Sequence, residues 1–454
     1  MGLKIIIVGL GKVGRALTQQ LNESGNNITV IDLNADKVTD VANSTDVMGI
    51  SGNGLSRAVM EEAGIGDTDL LIAVTGSDEQ NLLCCLLAKK AGPKCGTIAR
   101  VRSPQYSEDA EYLRKELGLA MIINPDYAAA AEIARVLRFP SAIKIDTFVK
   151  GRIELLKFKL PEDSPLCGMA VRDIEPKLHC DVLVCTVERG DEAFIASGDF
   201  VFSGRDVISI IAEPKNAFTF FRRIGYKAAP VHDALIAGGG NITHYLCNML
   251  TKSGIAATVI EKDRARADAL SDELSEVTVI NADAADQEVL MQEKIDRAGA
   301  FVALTNMDEE NILLSLFART VNSGKIVTKI NRIDFDHVIG RLDLDTVIYP
   351  KNITAEIIVR YVRAMKNTIG SNVETLYQII KGKVEAAEFA VREGSPVIGI
   401  PLMDLKFREG VLVAAIVRNR RVILPRGNDR IEDGDSVVIV SDHLGLHDIT
   451  DTLR

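Results

Sequence analysis

The sequence predicts an α/β chain that carries one arrangement twice, a doubly wound parallel sheet followed by a small α+β module. Three observations predict it. Apolar, β-branched runs alternate with helix-period segments. The stretch "IIIVGLGKVGRAL" joins the first run to the first helix through Gly9, Gly11 and Gly14, the G-x-G-x-x-G spacing of a Rossmann-like fold. "IAGGGNITHYL" repeats that turn with Gly238 and Gly240 in place and Thr243 where the third glycine belongs.

The elements follow in order. "KIIIVG" is the first strand, then a helix near 12–24, "ITVID", a helix near 34–43, "DVMGI", a helix near 55–63, "DLLIAVT", a helix near 79–91 and "TIARV". From about residue 143 the pattern changes to short strands, "FVKGRIELLKFKL", "DVLVCTVERG" and "DVISII", with turns between them. The second half repeats both grammars. Asp32 in "ITVID" pairs with Glu261 in "ATVIE", Thr75 with Thr305, Arg100 with Lys329 and Asp206 with Asp435, all at an offset of 229 or 230 residues. A constant offset over so many landmarks marks a tandem duplication. The predicted domains are 1–124 (first Rossmann-like domain), 125–142 (crossover helix), 143–226 (first small module), 231–348 (second Rossmann-like domain), 349–366 (second crossover helix) and 372–454 (second small module).

The crossover segments "NPDYAAAAEIARVLRFPSA" and "YPKNITAEIIVRYVRAM" each place a proline near a helix start and then an apolar stripe. The stripes are Ile133, Val136, Leu137 and Ile353, Ile357, Tyr361. Each suits either packing on its own sheet or an interface between subunits.

Composition narrows the function classes. Of 454 residues, 47% are hydrophobic and 26% charged, with 53 Lys+Arg against 63 Asp+Glu for a formal net charge of -10. That balance argues against nucleic-acid binding and against a polybasic membrane tether. No apolar run approaches the roughly 20 residues of a membrane helix. The start has no signal-peptide layout, and Ile6 stands where myristoylation needs Ser or Thr, so a cytoplasmic location is expected. The seven cysteines lack a C-x-x-C pair and read as reduced core thiols, with adjacent Cys84 and Cys85 packing from an apolar helix. His443 and His447 have helical i,i+4 spacing without a third ligand and read as a solvated helix face, so no metal site is expected.

The glycine turns carry the chemistry. Gly9 makes the tight turn, Gly11 admits a pyrophosphate, and Gly14 lets helix and strand pack closely. Backbone N–H groups and the helix dipole stabilise the anion. Asp32 is placed to accept from ribose hydroxyls, which disfavours a 2′-phosphate and so favours NAD or ATP over NADP. Thr75, Gly76 and Arg100 are placed to line the rest of the crevice. No residue stands out as a general acid or base, and His179 reads as a surface or turn residue. The design suits nucleotide sensing; a dehydrogenase with a duplicated fold and a free-standing nucleotide-binding scaffold are the rival readings.

Together, "GLGKVG", Asp32, "AVTGSDEQN", "ARV" around Arg100, "SPLCGM" and their second-half counterparts resemble the Trk-system potassium-uptake regulators, the TrkA family of tandem RCK proteins. The resemblance covers essentially the whole chain. Its most specific part is T-x-x-D-E-x-N, which occurs twice at a fixed distance from a glycine turn. It implies a Rossmann-like N-lobe and a small C-lobe in each repeat, and binding of NAD(H) and of ATP or ADP. It also implies no catalysis, and a homotetrameric ring on the inner face of a multi-span potassium-transport subunit of the TrkH/TrkG type. Carried across, the first site is Gly9, Leu10, Gly11, Lys12, Val13, Asp32, Thr75, Gly76 and Arg100. The second is Gly238, Gly239, Gly240, Asn241, Ile242, Glu261, Thr305, Asn306 and Lys329.

Three positions depart from the family pattern: Thr243 for the third glycine, Lys329 opposite Arg100, and Asn53 where an Asp is expected. Thr243 must either push its helix outward or fill a locally wider gap. The second turn is therefore expected to be a real site of weaker or different nucleotide preference, the alternative being a purely structural loop.

Overall fold

The structure, a computed structural model, describes residues 2–139, 142–149, 153–226, 231–331, 336–339, 342, 344–368, 373–380, 382–419, 421–446 and 448–454. The first half opens with six strands, β1 (Lys4–Val8), β2 (Asn27–Asp32), β3 (Met48–Ser51), β4 (Leu70–Ala73), β5 (Gly96–Arg100) and β6 (Met121–Ile123). They form one parallel sheet in the order β3-β2-β1-β4-β5-β6. Helices α1 (Lys12–Glu23), α2 (Ala35–Ser44), α3 (Arg57–Glu62) and α4 (Asp78–Ala91) connect the strands. Short α5 (Pro104–Glu108) and α6 (Ala110–Glu116) precede β6, and α7 (Pro125–Arg138) follows it. All four residues of β4 are buried, as a strand covered on both faces requires.

A five-stranded antiparallel sheet follows, built from β7 (Lys144–Phe148), β8 (Ile153–Lys159), β9 (Leu183–Arg189), β10 (Glu192–Ile195) and β11 (Val207–Ile211), with α8 (Ile174–Leu178) and α9 (Pro214–Arg223). Its order is β10-β9-β11-β8-β7.

The second half repeats both sheets. Strands β12 (Asp233–Ala237), β13 (Ala256–Glu261), β14 (Thr278–Asn281), β15 (Ala300–Ala303), β16 (Lys325–Lys329) and β17 (Thr346–Ile348) pair in the order β14-β13-β12-β15-β16-β17. Their helices are α10 (Asn241–Lys252), α11 (Arg264–Glu273), α12 (Gln287–Gln292), α13 (Asp308–Val321), α14 (Asp336–Ile339) and α15 (Pro350–Thr368). The last sheet, β18 (Val373–Ile380), β19 (Val384–Ala390), β20 (Val411–Arg418), β21 (Arg421–Ile423) and β22 (Ser436–Ser441), runs β18-β19-β22-β20-β21. The sequence reading passed over β6, β10 and helices α5, α6 and α8, all too short to show a period, and it also missed the ten-residue amphipathic α9.

The chain forms two compact units that do not follow its order. One joins Met1–Leu137 to Val231–Val359, and the other joins Arg138–Pro230 to Arg360–Arg454. In the first unit, Ala129, Ala130, Ile133, Val136 and Leu137 of α7 are fully buried in one core with Ile236, Leu246, Val259 and Val302 of the second sheet and its helices. The predicted stripe thus packs neither on its own sheet nor on another subunit; it completes the core of the other half. In α15 the predicted residues Ile353, Ile357 and Tyr361 are only half-buried. The buried stripe is Ala355, Ile358, Val359 and Val362, which keeps i, i+3, i+4, i+7 spacing and lies beside the predicted one.

In the second unit, Phe148, Ile153, Leu155 and Ile211 share a core with Ile379, Val384, Ala386 and Val438 of the repeat. Each small module carries one buried aspartate gripped by an arginine fork. Asp206 accepts from Arg189 Nε and Nη2, both at 2.8 Å, and Asp435 from Arg418 Nε and Nη2, both at 2.9 Å. His179 caps α8 with left-handed backbone, as a turn residue. His443 lies in a bend after β22 instead of on a helix, since β22 ends only two residues earlier; His447 lies outside the described residues.

Candidate nucleotide crevices

Strand order reverses between β1 and β4, and again between β12 and β15, so each parallel sheet opens a crevice at its carboxyl end. The glycine turns sit there. Gly9 and Gly238 both have φ +101°, and a Cβ on either would lie 2.9 Å from backbone of the neighbouring strand end, Thr75 and Leu304 respectively. Gly11 then starts α1 and Gly240 starts α10, neither with a capping side chain nor an acid in the first turn. By contrast, Ser77 and Asp263 cap α4 and α11 in the usual way. Uncapped first-turn N–H groups at the positive end of a helix form an anion site.

The acids brace the turns. Asp32 Oδ2 accepts from Leu10 N at 2.6 Å and its Oδ1 from Asn34 N at 2.9 Å. Glu261 repeats this with Gly239 N at 2.5 Å and Asp263 N at 2.7 Å, so the extra methylene is absorbed without losing either bond. Each carboxylate has four lone-pair positions, and both line their crevices with acceptor capacity to spare.

The repeated T-x-x-D-E-x-N motif has a structural explanation. Asn81, fully buried, accepts from Thr75 N at 2.8 Å and Thr75 Oγ1 at 2.7 Å, and donates to Arg100 O at 2.9 Å. It therefore clips the end of β4 to the end of β5. Asn311 does the same between Thr305 and Lys329. Asp78 accepts from the N–H groups of Arg102 and Ser103, fixing the chain as it leaves β5, and Asp308 holds Asn331 in the same way. The spacing drew attention to these letters without revealing that Asn81 and Asn311 position the crevice residues.

Thr243 fills a wider gap. At Gly14 a Cβ would lie 1.9 Å from Gly9 O, an impossible contact. Thr243 is nevertheless fully buried, and its hydroxyl donates to Gly238 O at 2.5 Å. Helix and turn therefore stand further apart in the second half, and a hydrogen bond occupies the space.

The two crevices differ in size and charge. The first encloses about 380 Å³, within the usual range for small-molecule sites, and the second about 130 Å³. Gly9, Gly11, Asp32, Thr75, Gly76 and Arg100 line the first. Leu10, Lys12 and Val13 lie outside the lining, Leu10 and Val13 buried and Lys12 exposed. Lys37, Asn53 and Gln80 also line it, and only Asn53 drew notice in the sequence. Gly238, Gly239, Gly240, Glu261, Thr305 and Asn306 line the second, which adds the carboxylates of Asp283 and Glu310. Asn241 and Ile242 begin α10 outside that lining.

Lys329 corrects an expectation. It does not reach the crevice: its ammonium is buried and donates to Leu304 O at 3.0 Å, and burial pulls its pKa down to about 8. Arg100 keeps a longer reach. One guanidinium nitrogen donates to Thr75 O, while Nε is buried with no hydrogen-bond partner among the described residues. Burial lowers the Arg100 pKa, with Arg102 adding to the effect and Asp78 and Asp126 opposing it.

The seven cysteines are free and, apart from half-buried Cys167, buried. Burial raises the thiols of Cys84, Cys185 and Cys247 to about 12, which makes them inert packing residues at neutral pH. Among the described residues no group of three His, Cys, Asp or Glu could hold a metal, and no helix is long and apolar enough to cross a membrane.

Fold and crevices define a duplicated, doubly wound protein with nucleotide-type turns, each repeat carrying a small antiparallel module. Comparison with known proteins makes the class specific. The TrkA-N domain matches residues 5–125 and 234–350, and the TrkA-C domain residues 155–225 and 386–453. The Trk system potassium uptake protein TrkA homolog 1 of Methanosarcina mazei is 30% identical over 97% of both chains. The TrkA protein of Vibrio alginolyticus is 30% identical, covering 96% of this chain and 95% of its own. The chain belongs to the TrkA family of potassium-uptake regulators, which are not enzymes. Among solved structures, the GsuK RCK domain shares the fold at TM-score 0.63 and 18% identity, over 97% of this chain and 92% of that one. The structure titled "GsuK channel bound to NAD" does so at TM-score 0.64 and 18% identity, over 97% and 77%.

Proposed function

We propose that this chain is the nucleotide-sensing regulatory subunit of a potassium-uptake system. It binds NAD(H) or an adenine nucleotide (ADP or ATP) in the first crevice and binds more weakly in the second. Four copies form a ring on the cytoplasmic face of a multi-span potassium-transport subunit of the TrkH/TrkG type and control its opening. The observation that carries the binding reading is the first crevice itself. An uncapped helix start, the braced Asp32 and Arg100 line one cavity of nucleotide size. GsuK structures titled as bound to NAD and to ADP support the same ligand class. The potassium-uptake names of the relatives support the partner.

Gating follows from differential affinity: a nucleotide that prefers one arrangement of the ring by about 1–3 kcal/mol shifts its population 5–150-fold. The test is calorimetry with NADH and with ADP on the intact chain and on Asp32→Ala and Glu261→Ala variants. The expected result is a stronger phase lost with Asp32 and a weaker one lost with Glu261. If the intact chain binds neither nucleotide, the reading is wrong. If Glu261→Ala changes nothing, the second turn is scaffold only.

A further inference from the structure

Asp126 is the second residue of α7, and its carboxylate is buried, at 6% exposure. It belongs to the first half but faces both. Arg102 Nε donates to its Oδ2 at 2.9 Å, and so does Asn241 Nδ2 at 3.4 Å. Arg102 follows Arg100 by two residues, and Asp78 fixes its backbone N–H at 2.8 Å. Asn241 is the first residue of α10, immediately after the second glycine turn. One carboxylate thus ties the segment leaving the first crevice to the helix start of the second.

Neighbouring bonds cross the same seam. Asn124 Nδ2 donates to Tyr245 Oη of α10 at 2.9 Å, and Tyr245 Oη donates to Ser107 Oγ at 3.0 Å. The field of Asp126 also reaches the basic residue of each half, since it raises the proton affinity of both Arg100 and Lys329. The arrangement is one-sided, because the residue after the corresponding proline, Pro350, is Lys351.

Held by the side-chain amide of the first residue of α10, the carboxylate lies in the field of the same uncapped helix start that would bind a phosphate. It is a resident anion, and a ligand phosphate arriving at the α10 turn meets charge of its own sign. We propose that Asp126 couples the two crevices. A phosphate at the second turn displaces the carboxylate from Asn241, and the displaced carboxylate draws Arg102 and the chain beyond Arg100 with it. By reciprocity, occupancy of the first crevice alters the affinity of the second by the same factor. This inference rests on the nucleotide reading above and adds a route between the sites.

The experiment is calorimetric titration of the full chain with ADP. The second-site dissociation constant is compared between wild type, where the first site fills, and Asp32→Ala, where it does not. The wild-type ratio is expected to differ from one by at least about 5-fold, the lower end of usual coupling. In an Asp126→Asn background the ratio should fall within about 2-fold of one, and ADP should bind the second site more tightly. Arg102→Gln, which releases the carboxylate from the first half through a half-exposed side chain, should also remove the coupling. A wild-type ratio of one, or a ratio unchanged in both variants while both phases persist, overturns the proposal alone. Absence of both phases in wild type overturns the nucleotide reading and this inference together.

Discussion

Replacing Asn81 with Leu removes four polar interactions while keeping the side-chain volume. In the structure Asn81 is fully buried, accepts from Thr75 N and Oγ1, and donates to Arg100 O and, at 3.5 Å, to Thr75 O. The Thr75 hydroxyl can still turn to Ser77 O, 3.4 Å away. The Thr75 N–H and the Arg100 carbonyl lose this partner. At about 1–3 kcal/mol for each group stranded away from water, the loss comes to roughly 2–6 kcal/mol, with no cavity contribution because Leu is near-isosteric. Urea unfolding followed at the first unit should show a lower midpoint at unchanged slope. Hydrogen exchange should rise in peptides spanning Thr75 and Arg100. ADP affinity at the first crevice should fall with it, because the clip holds both crevice walls. Asn311→Leu should cost as much stability and spare the first crevice. A loss below about 0.5 kcal/mol in Asn81→Leu, with exchange unchanged, would refute the clip.

Other outcomes follow from the same geometry. Gly14→Ala forces a Cβ to 1.9 Å from Gly9 O and should destabilise by about 2 kcal/mol or more. Thr243→Gly gives up the bond to Gly238 O and places Gly inside a helix, for a smaller loss of about 1–2 kcal/mol; parallel melts rank the pair. Lys329 has its folded pKa lowered to about 8 from 10.5, so below pH 8 both states are protonated and the full burial penalty of roughly 3 kcal/mol applies. Between pH 8 and 10.5 only the unfolded state holds the proton, so this contribution to stability rises with pH; Lys329→Met should stabilise the protein at pH 7 and flatten that rise in pH-dependent unfolding. Arg189→Ala leaves Asp206, at 1% exposure, without its fork and should cost about 3 kcal/mol in the second unit, with Arg418→Ala matching it in denaturant titrations.

Where structure follows from local pattern, the sequence was readable. β1, β2 and β4 are apolar runs bounded by turns, and the glycine spacing marks both crevices because Gly9 and Gly238 must take positive φ. The duplication made the second copy readable despite Thr243. What depends on a distant partner was not readable. The stripe on α7 announces an apolar neighbour but not which sheet supplies it. Lys329 looks like a shorter Arg100, yet without a guanidinium its side chain ends at the Leu304 carbonyl and never reaches the crevice. Asn81 is visible as a repeated letter, but its bond to Arg100 spans 19 residues and no spacing rule encodes it.

Because α7 finishes the interior of the opposite half, neither repeat is a self-sufficient folding unit. A fragment ending after α7 would expose Ala129, Ala130, Ile133, Val136 and Leu137, and a second copy of itself is the nearest available cover. Two identical fragments would then have to serve both sides of the seam with one set of residues. Joining the copies in one reading frame removes that constraint. The acid at position 126 and the lysine at 351, or the glycine at 14 and the threonine at 243, can then be selected independently. Fusion lets a pair of equal crevices become an ordered pair of unequal ones, about 380 Å³ and about 130 Å³.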